Sequence, residues 1–285
     1  MTGASEHLRA LARRLVSAYS GLSPRAALLV GSAARGDSDE SSDLDLLLYY
    51  DETPPTAALE TVRRSLGAKD VHFHVAEDGS VADFFELDGV QCQTVHEPVA
   101  TFDRELERYF VELEASEELP KIAMGLFDGL PLLGEEHVER WRDAARYTDE
   151  LQRAELERRW SFFPWWYTAE RLRARGTTIW RHDVLVRSAY ALVGSLAALN
   201  RVWFSTFELK REREYLERLE LAPPNFTDRL LSLFERDERG QVDELERLVA
   251  ETATLVKERF PDFDVDAGWR GASHAPGQRL AGGSA

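Results

Sequence analysis

The segment Leu28–Leu47 constrains this chain most. An apolar run ends in Gly31-Ser32, and a second opens after Ser42-Asp43-Leu44-Asp45. Both runs are strand-like. Side chains along a strand alternate between faces, so Asp43 and Asp45 project from one face, two residues apart. Two carboxylates held in that way suit a divalent cation that prefers oxygen ligands. Gly31-Ser32 falls where a strand gives way to a helix, where free N–H groups and the helix dipole can hold phosphate. A cation beside phosphate points to a nucleoside triphosphate and to transfer at a phosphorus centre. The alternative is a polar loop followed by an edge strand that opens with two acids. Against it, neighbouring like charges repel, and strands are poor in Asp.

At 285 residues the chain can bury a large core and can hold two domains. It has no apolar run long enough for a bilayer span, so no membrane partner is expected. The N-terminus does not read as a leader: Leu8, Leu11, Leu15 and Tyr19 recur at helical spacing, interrupted by Arg9, Arg13 and Arg14. The single cysteine, Cys92, excludes an internal disulfide and a cysteine-based zinc site. It lies in an expected strand as a small buried apolar residue, and a cytoplasmic setting is the expectation. The net charge of −16 is unevenly shared. Residues 1–140 hold 27 acids against 12 Lys and Arg, whereas residues 141–285 hold 24 against 23. So acidic a first half argues against duplex nucleic acid, which needs a basic surface. It suits a metal site and a cationic substrate.

The spacing predicts a helix over 5–19, strands at 26–31 and 43–50, and a helix over 56–66 between Pro54-Pro55 and Gly67. Strands follow at 71–75, 81–87 and 90–96, the last two joined by Asp88-Gly89, a strong hairpin signal. A helix over 102–113 and the segment 125–133 complete an α/β domain with a mixed sheet. From Trp141 onward the pattern is helical. One helix is expected over 149–175, bent at Pro164, and 182–204 is apolar nearly all round, as in the centre of a bundle. Further helices are expected near 210–219, 227–235 and 241–260. The expected division is an α/β domain over 1–140, an all-α helical bundle over 141–265, and a disordered tail over 266–285, rich in Gly, Ala and Ser.

Gly31-Ser32 followed by Ser42-Asp43-Leu44-Asp45-Leu46 resembles the nucleotidyltransferase superfamily that includes DNA polymerase beta. Among its members the chain looks most like the aminoglycoside and lincosamide nucleotidyltransferases, which share the order of an α/β domain before a helical bundle. The resemblance implies that a nucleoside monophosphate, AMP from ATP, passes to a hydroxyl of a small molecule, with an antibiotic as acceptor and antibiotic resistance as the role. It implies Mg2+ held by Asp43 and Asp45, and a triphosphate held by Gly31 and Ser32 with help from Ser42. Two other readings stay open: nucleotidyl transfer to a protein or RNA end, as in toxin–antitoxin relatives, and a degenerate nucleotide-binding module. A homodimer is also left open.

The superfamily supplies a third carboxylate from a later strand, and the matching position here is Gln93. An amide offers a neutral oxygen and cannot act as a general base at neutral pH. Glu86, across the hairpin, is one substitute. In kanamycin-type relatives a glutamate of the helical domain is the base, which makes Asp149, Glu150 and Asp183 candidates here, with Asp183 placed in the catalytic set. Lys210, one of four lysines, is the candidate phosphate contact from the second half. Arg35 can touch phosphate or pair with Asp37 and Asp39. The aromatic stretch Trp160–Tyr167 can line an acceptor pocket or pack a core. His72 and His74 share one strand face without a third ligand nearby.

Overall fold

The computed structural model describes residues 2–116, 118–163 and 175–269. The chain divides into two compact units, Met1–Arg146 and Tyr147–Ala285.

The first unit is built on a six-stranded mixed sheet of order β3-β4-β5-β2-β1-β6. Its strands are β1 (Ala26–Val30), β2 (Leu44–Tyr50), β3 (Lys69–Val75), β4 (Val81–Leu87), β5 (Val90–Pro98) and β6 (Leu130–Leu133). Only β2 and β5 run parallel; β1 pairs antiparallel with both β2 and β6. The turn Asp88-Gly89 has positive φ at both residues (54° and 81°), as a two-residue hairpin with the twist of its strands requires.

Helix α1 (Gly3–Tyr19) begins where the Thr2 side chain accepts the Ser5 N–H, and it buries Leu8, Leu11, Leu15 and Tyr19. That stripe packs on the face of the sheet carrying Leu44, Leu46, Leu48 and Phe85, together with Leu59 of α3 (Thr56–Leu66). Short α2 (Gly31–Arg35) follows β1 directly. Helix α4 (Val99–Leu106) continues as a π-helical turn over Glu107–Val111, so the segment read as one regular helix widens by a residue per turn. The segment read as 125–133 resolves into α5 (Leu119–Asp128) and β6. Helix α6 (Glu135–Ala144) places Trp141 against Tyr49 and Phe102, and the Trp141 Nε1–H donates to Asp103 Oδ1 (2.6 Å).

The second unit is mostly helical. Helix α7 (Asp149–Arg159) starts at a Thr148 cap. Helix α8 (Thr178–Leu199) is buried without a break from Leu192 to Leu199, whereas Ile179 and Trp180 near its start are exposed. It is therefore apolar all round only in its second half. The Gln152 side-chain amide donates to the carbonyls of Ala198 and Leu199 (3.0 and 2.9 Å), tying α7 to the end of α8. The short α9 (Glu212–Leu216) and α10 (Phe226–Ser232), then the long α11 (Glu238–Arg259), follow. Pro164, the stretch 164–167 of the aromatic cluster, and the tail from 270 lie outside the described residues. No helix among those described is long and apolar enough to cross a membrane.

Candidate active site

The strand register builds the site. Val30 of β1 pairs with Asp45 of β2, and Asp45 pairs with Gln93 of β5, which pairs in turn with Phe84 of β4. Directly paired residues share a sheet face, so Asp45, Gln93 and Phe84 stand in one row on the face opposite the α1–α3 core. Continuing the register by one residue beyond Leu44–Cys92 brings Asp43 beside Gln91. Asp43 is exposed and Asp45 half-buried.

Gly31 meets this row from β1. Its φ is +73°, the left-handed region that disfavours side chains, and a Cβ added there would lie 3.1 Å from Asp45 Oδ2. Glycine thus keeps open the space against the Asp45 carboxylate. Ser32, in the first turn of α2, is bonded through its Oγ to Ser38 Oγ (3.1 Å), and its carbonyl accepts the N–H groups of Gly36 and Asp37.

Helix α1 holds this loop from beneath. Arg9 donates to the carbonyls of Ala33 and Ala34 (2.8 and 2.5 Å), while Ser5 Oγ accepts the Ser38 N–H (3.0 Å) and Thr2 Oγ1 donates to the Ser38 carbonyl (2.8 Å). Sequence alone gives Arg9 and Ser5 only as helix positions; their reach across to residues 33–38 is tertiary. Gln91, which the register places beside Asp43, follows from the same alternation that pairs Asp45 with Gln93.

The donor set is oxygen throughout: two carboxylates, with amide oxygens of Gln91 and Gln93 alongside. Such a set fits Mg2+, whose remaining positions go to phosphate and water. Among the described residues no group of three or more His, Cys, Asp and Glu could hold a metal, in keeping with glutamine at the third position.

The remaining candidates have local partners. Ser42 Oγ accepts the Asp39 N–H (2.9 Å) and donates to Asp39 Oδ1 (3.2 Å), closing the loop before β2. Arg35 pairs with Asp37 at 3.3 Å. Glu86 pairs with Gln91 across the β4–β5 hairpin, so it shares the face and row of Asp43 and Gln91, and on its other side it stands opposite Lys69. Asp183, 44% exposed on α8, pairs with Arg187 one turn on (2.9 Å). Lys210 is exposed, with its Nζ 5.3 Å from the Phe207 ring centre. Asp149 is bound by Arg201 and Arg259. Cys92 is buried, and burial pushes its thiol up to about 12, so it stays neutral. His72 and His74 are exposed.

Further along the same face, Glu97 is held up to about 8, first by burial and then by the carboxylates of Glu105 and Asp78. On the opposite face a buried polar cluster joins helix to sheet. Arg63 of α3 pairs with Asp83 of β4, which lies 3.3 Å from His96 Nε2, and Tyr50 OH meets His96 Nδ1 at 3.0 Å. Burial pushes the His96 ring below its ordinary value.

Residues 8–122 match the family model described as a nucleotidyltransferase domain. No curated protein matches the chain. Among solved structures, it is similar to a nucleotidyltransferase-like protein from Exiguobacterium sibiricum 255-15, at 12% identity and a TM-score of 0.38, covering 88% of this chain and 79% of that one. The matched span lies within the first unit and contains most of α1, Gly31-Ser32, Asp43, Asp45 and Gln93.

Proposed function

We propose that the chain transfers a nucleoside monophosphate, AMP from ATP, to a hydroxyl of a small molecule such as an aminoglycoside- or lincosamide-type compound. The observation that carries this reading is the Val30–Asp45–Gln93 row with Gly31 against the Asp45 carboxylate, inside a span that matches a nucleotidyltransferase domain. Asp43 and Asp45 would hold Mg2+, with Gln93 as a neutral neighbour. When bound, the metal neutralises triphosphate charge and favours departure of pyrophosphate. Gly31 and Ser32 would line the β- and γ-phosphates, with Ser42 holding the loop in place.

Transfer at phosphorus needs chiefly positioning and charge neutralisation, and a rigid sheet row supports both. Asp183 enters the proposal as the candidate base on the acceptor and Lys210 as a phosphate contact. Each now has a local partner to leave, so their substitutions are the weaker tests. A general base matters because Gln93 cannot take the proton.

Glutamine at position 93 also favours a second reading, a nucleotide-binding module without turnover. Transfer to a protein or RNA end is a third, and the acidic first unit weighs against its RNA version. Pyrophosphate release from ATP and Mg2+ over a panel of hydroxyl acceptors separates them. Acceptor-dependent release supports the transferase. ATP binding with no release across the panel supports the module.

A further inference from the structure

The acid missing at Gln93 has a counterpart one strand farther out. The β4–β5 hairpin pairs Glu86 with Gln91 and Phe84 with Gln93. Gln91 lies beside Asp43, and Gln93 beside Asp45, so two rows cross the candidate face. One row runs Asp43–Gln91–Glu86 and the other Asp45–Gln93–Phe84, all on the same side of the sheet.

Glu86 is half-buried, and among the described residues no hydrogen bond or ion pair takes up its carboxylate, although Lys69 stands opposite it. By contrast Asp37, Asp51 and Asp88 each pair with an arginine. Two strand spacings, about 10 Å, separate the backbone of Glu86 from that of Asp43. Glu86 therefore stands too far out to share a cation with the two aspartates. Among the described residues no group of three or more His, Cys, Asp and Glu could hold a metal. Its lone pairs stay available for a proton. The strand between offers only amides on this face, which can hold a hydroxyl by hydrogen bonds without taking its proton. Phe84, in the adjoining row, is a large apolar side chain left 42% exposed. An aromatic ring open on this face gives an apolar floor beside the carboxylate.

We propose that β4 supplies the acceptor half of the site, with Glu86 as general base on the acceptor hydroxyl and Phe84 as the floor beneath it. The assignment rests on AMP transfer being the reaction of this chain. It places the base on the sheet itself rather than at Asp183, which is bound to Arg187. The acceptor oxygen sits over Gln91 and Gln93, between the aspartates and Glu86. Glu86 takes the hydroxyl proton as that oxygen bonds to the α-phosphorus of ATP. The bond from this phosphorus to the bridging oxygen breaks, pyrophosphate leaves with the electron pair, and Glu86 passes the proton to water. The acceptor class that fits is a hydroxyl on a saturated ring with an apolar C–H face, as in a pyranoside.

Pyrophosphate release from ATP and Mg2+, with kanamycin, lincomycin, methyl glucoside and glycerol as acceptors, tests this on the full chain. Calorimetric titration of ATP and circular dichroism accompany it for each variant. Glu86→Gln is expected to lower kcat at least about a hundredfold while keeping the wild-type affinity for ATP with Mg2+. Formate should restore part of the turnover lost in Glu86→Ala, by standing in for the missing carboxylate. Phe84→Ala should raise the acceptor KM about fivefold through lost stacking. Wild-type kcat in Glu86→Gln, or a loss of turnover confined to Asp183→Asn, overturns the assignment of Glu86 and leaves AMP transfer standing. A Glu86→Gln variant that no longer binds ATP overturns it too, because the side chain then serves the nucleotide or the fold. No release by the wild type with any acceptor overturns AMP transfer and the role of Glu86 together.

Discussion

At the scale of single residues, Gly31 is the exacting backbone position of the candidate site. A side chain there must adopt the left-handed backbone region and stand 3.1 Å from the Asp45 carboxylate. Gly31→Ala is expected to cost about 1–2 kcal/mol of stability through backbone strain. It should also weaken Mg2+-dependent ATP binding beyond what that loss explains, because the carboxylate must shift. Urea unfolding and calorimetry on the same variant separate the two effects. Glu97 gives a pH-dependent prediction. Its folded value is raised to about 8 from an ordinary 4.5. The folded state therefore keeps a proton that the unfolded chain has lost, and this contribution is fully present below about 4.5 and gone as pH rises through 8. Glu97→Gln removes that dependence, so its gain in Tm over the wild type should be larger at pH 9 than at pH 5. An equal gain at both would mean that Glu97 titrates normally.

At the scale of elements, the Arg63–Asp83 pair bonds α3 to β4 with both side chains almost wholly out of water. Removing one partner leaves a buried charge uncompensated, at a cost of roughly 3–5 kcal/mol, whereas replacing both by apolar residues is often close to neutral. Arg63→Met should thus unfold at much lower denaturant than Arg63→Met/Asp83→Leu, measured by urea titration. If the double variant is as unstable as the single one, hydrogen bonds to His96 and its neighbours dominate instead. Arg63 reads as an ordinary charged residue of an amphipathic helix, and Asp83 as a polar residue in an alternating strand. Their burial is decided by the packing of α3 on the sheet.

The same contrast holds elsewhere. The helix Thr56–Leu66 was legible to the residue because Pro55 precedes it and Gly67, at φ 76°, ends it. The hairpin was legible from Asp88-Gly89. The division of 119–133 into α5 and β6 was not, because its glycines answer to distant neighbours. A Cβ at Gly125 would touch Val30, and one at Gly129 would stand 2.8 Å from the Leu28 side chain. The π-helical turn after Leu106 has no local signature either.

At the scale of the whole molecule, the chain joins an α/β unit, similar over residues 8–122 to a nucleotidyltransferase domain, to a mostly helical second unit. The half-site proposed for triphosphate and metal was readable from Gly31-Ser32 and Asp43-Leu-Asp45, because strand alternation alone fixes which side chains share a face. The acceptor half was not, since a base and a specificity pocket are assembled from residues far apart in sequence. The central claim is that Asp43 and Asp45 form a cation-dependent triphosphate site beside Gly31. Calorimetric titration of ATP into the full chain, with Mg2+ and then with excess chelator, tests it most directly when repeated on Asp43→Asn/Asp45→Asn. Binding by the wild type is expected to need Mg2+ and to fall at least about tenfold in the double variant, the loss expected when two charged ligands become neutral. Equal ATP affinity in wild type and double variant, or no binding by either, would contradict it.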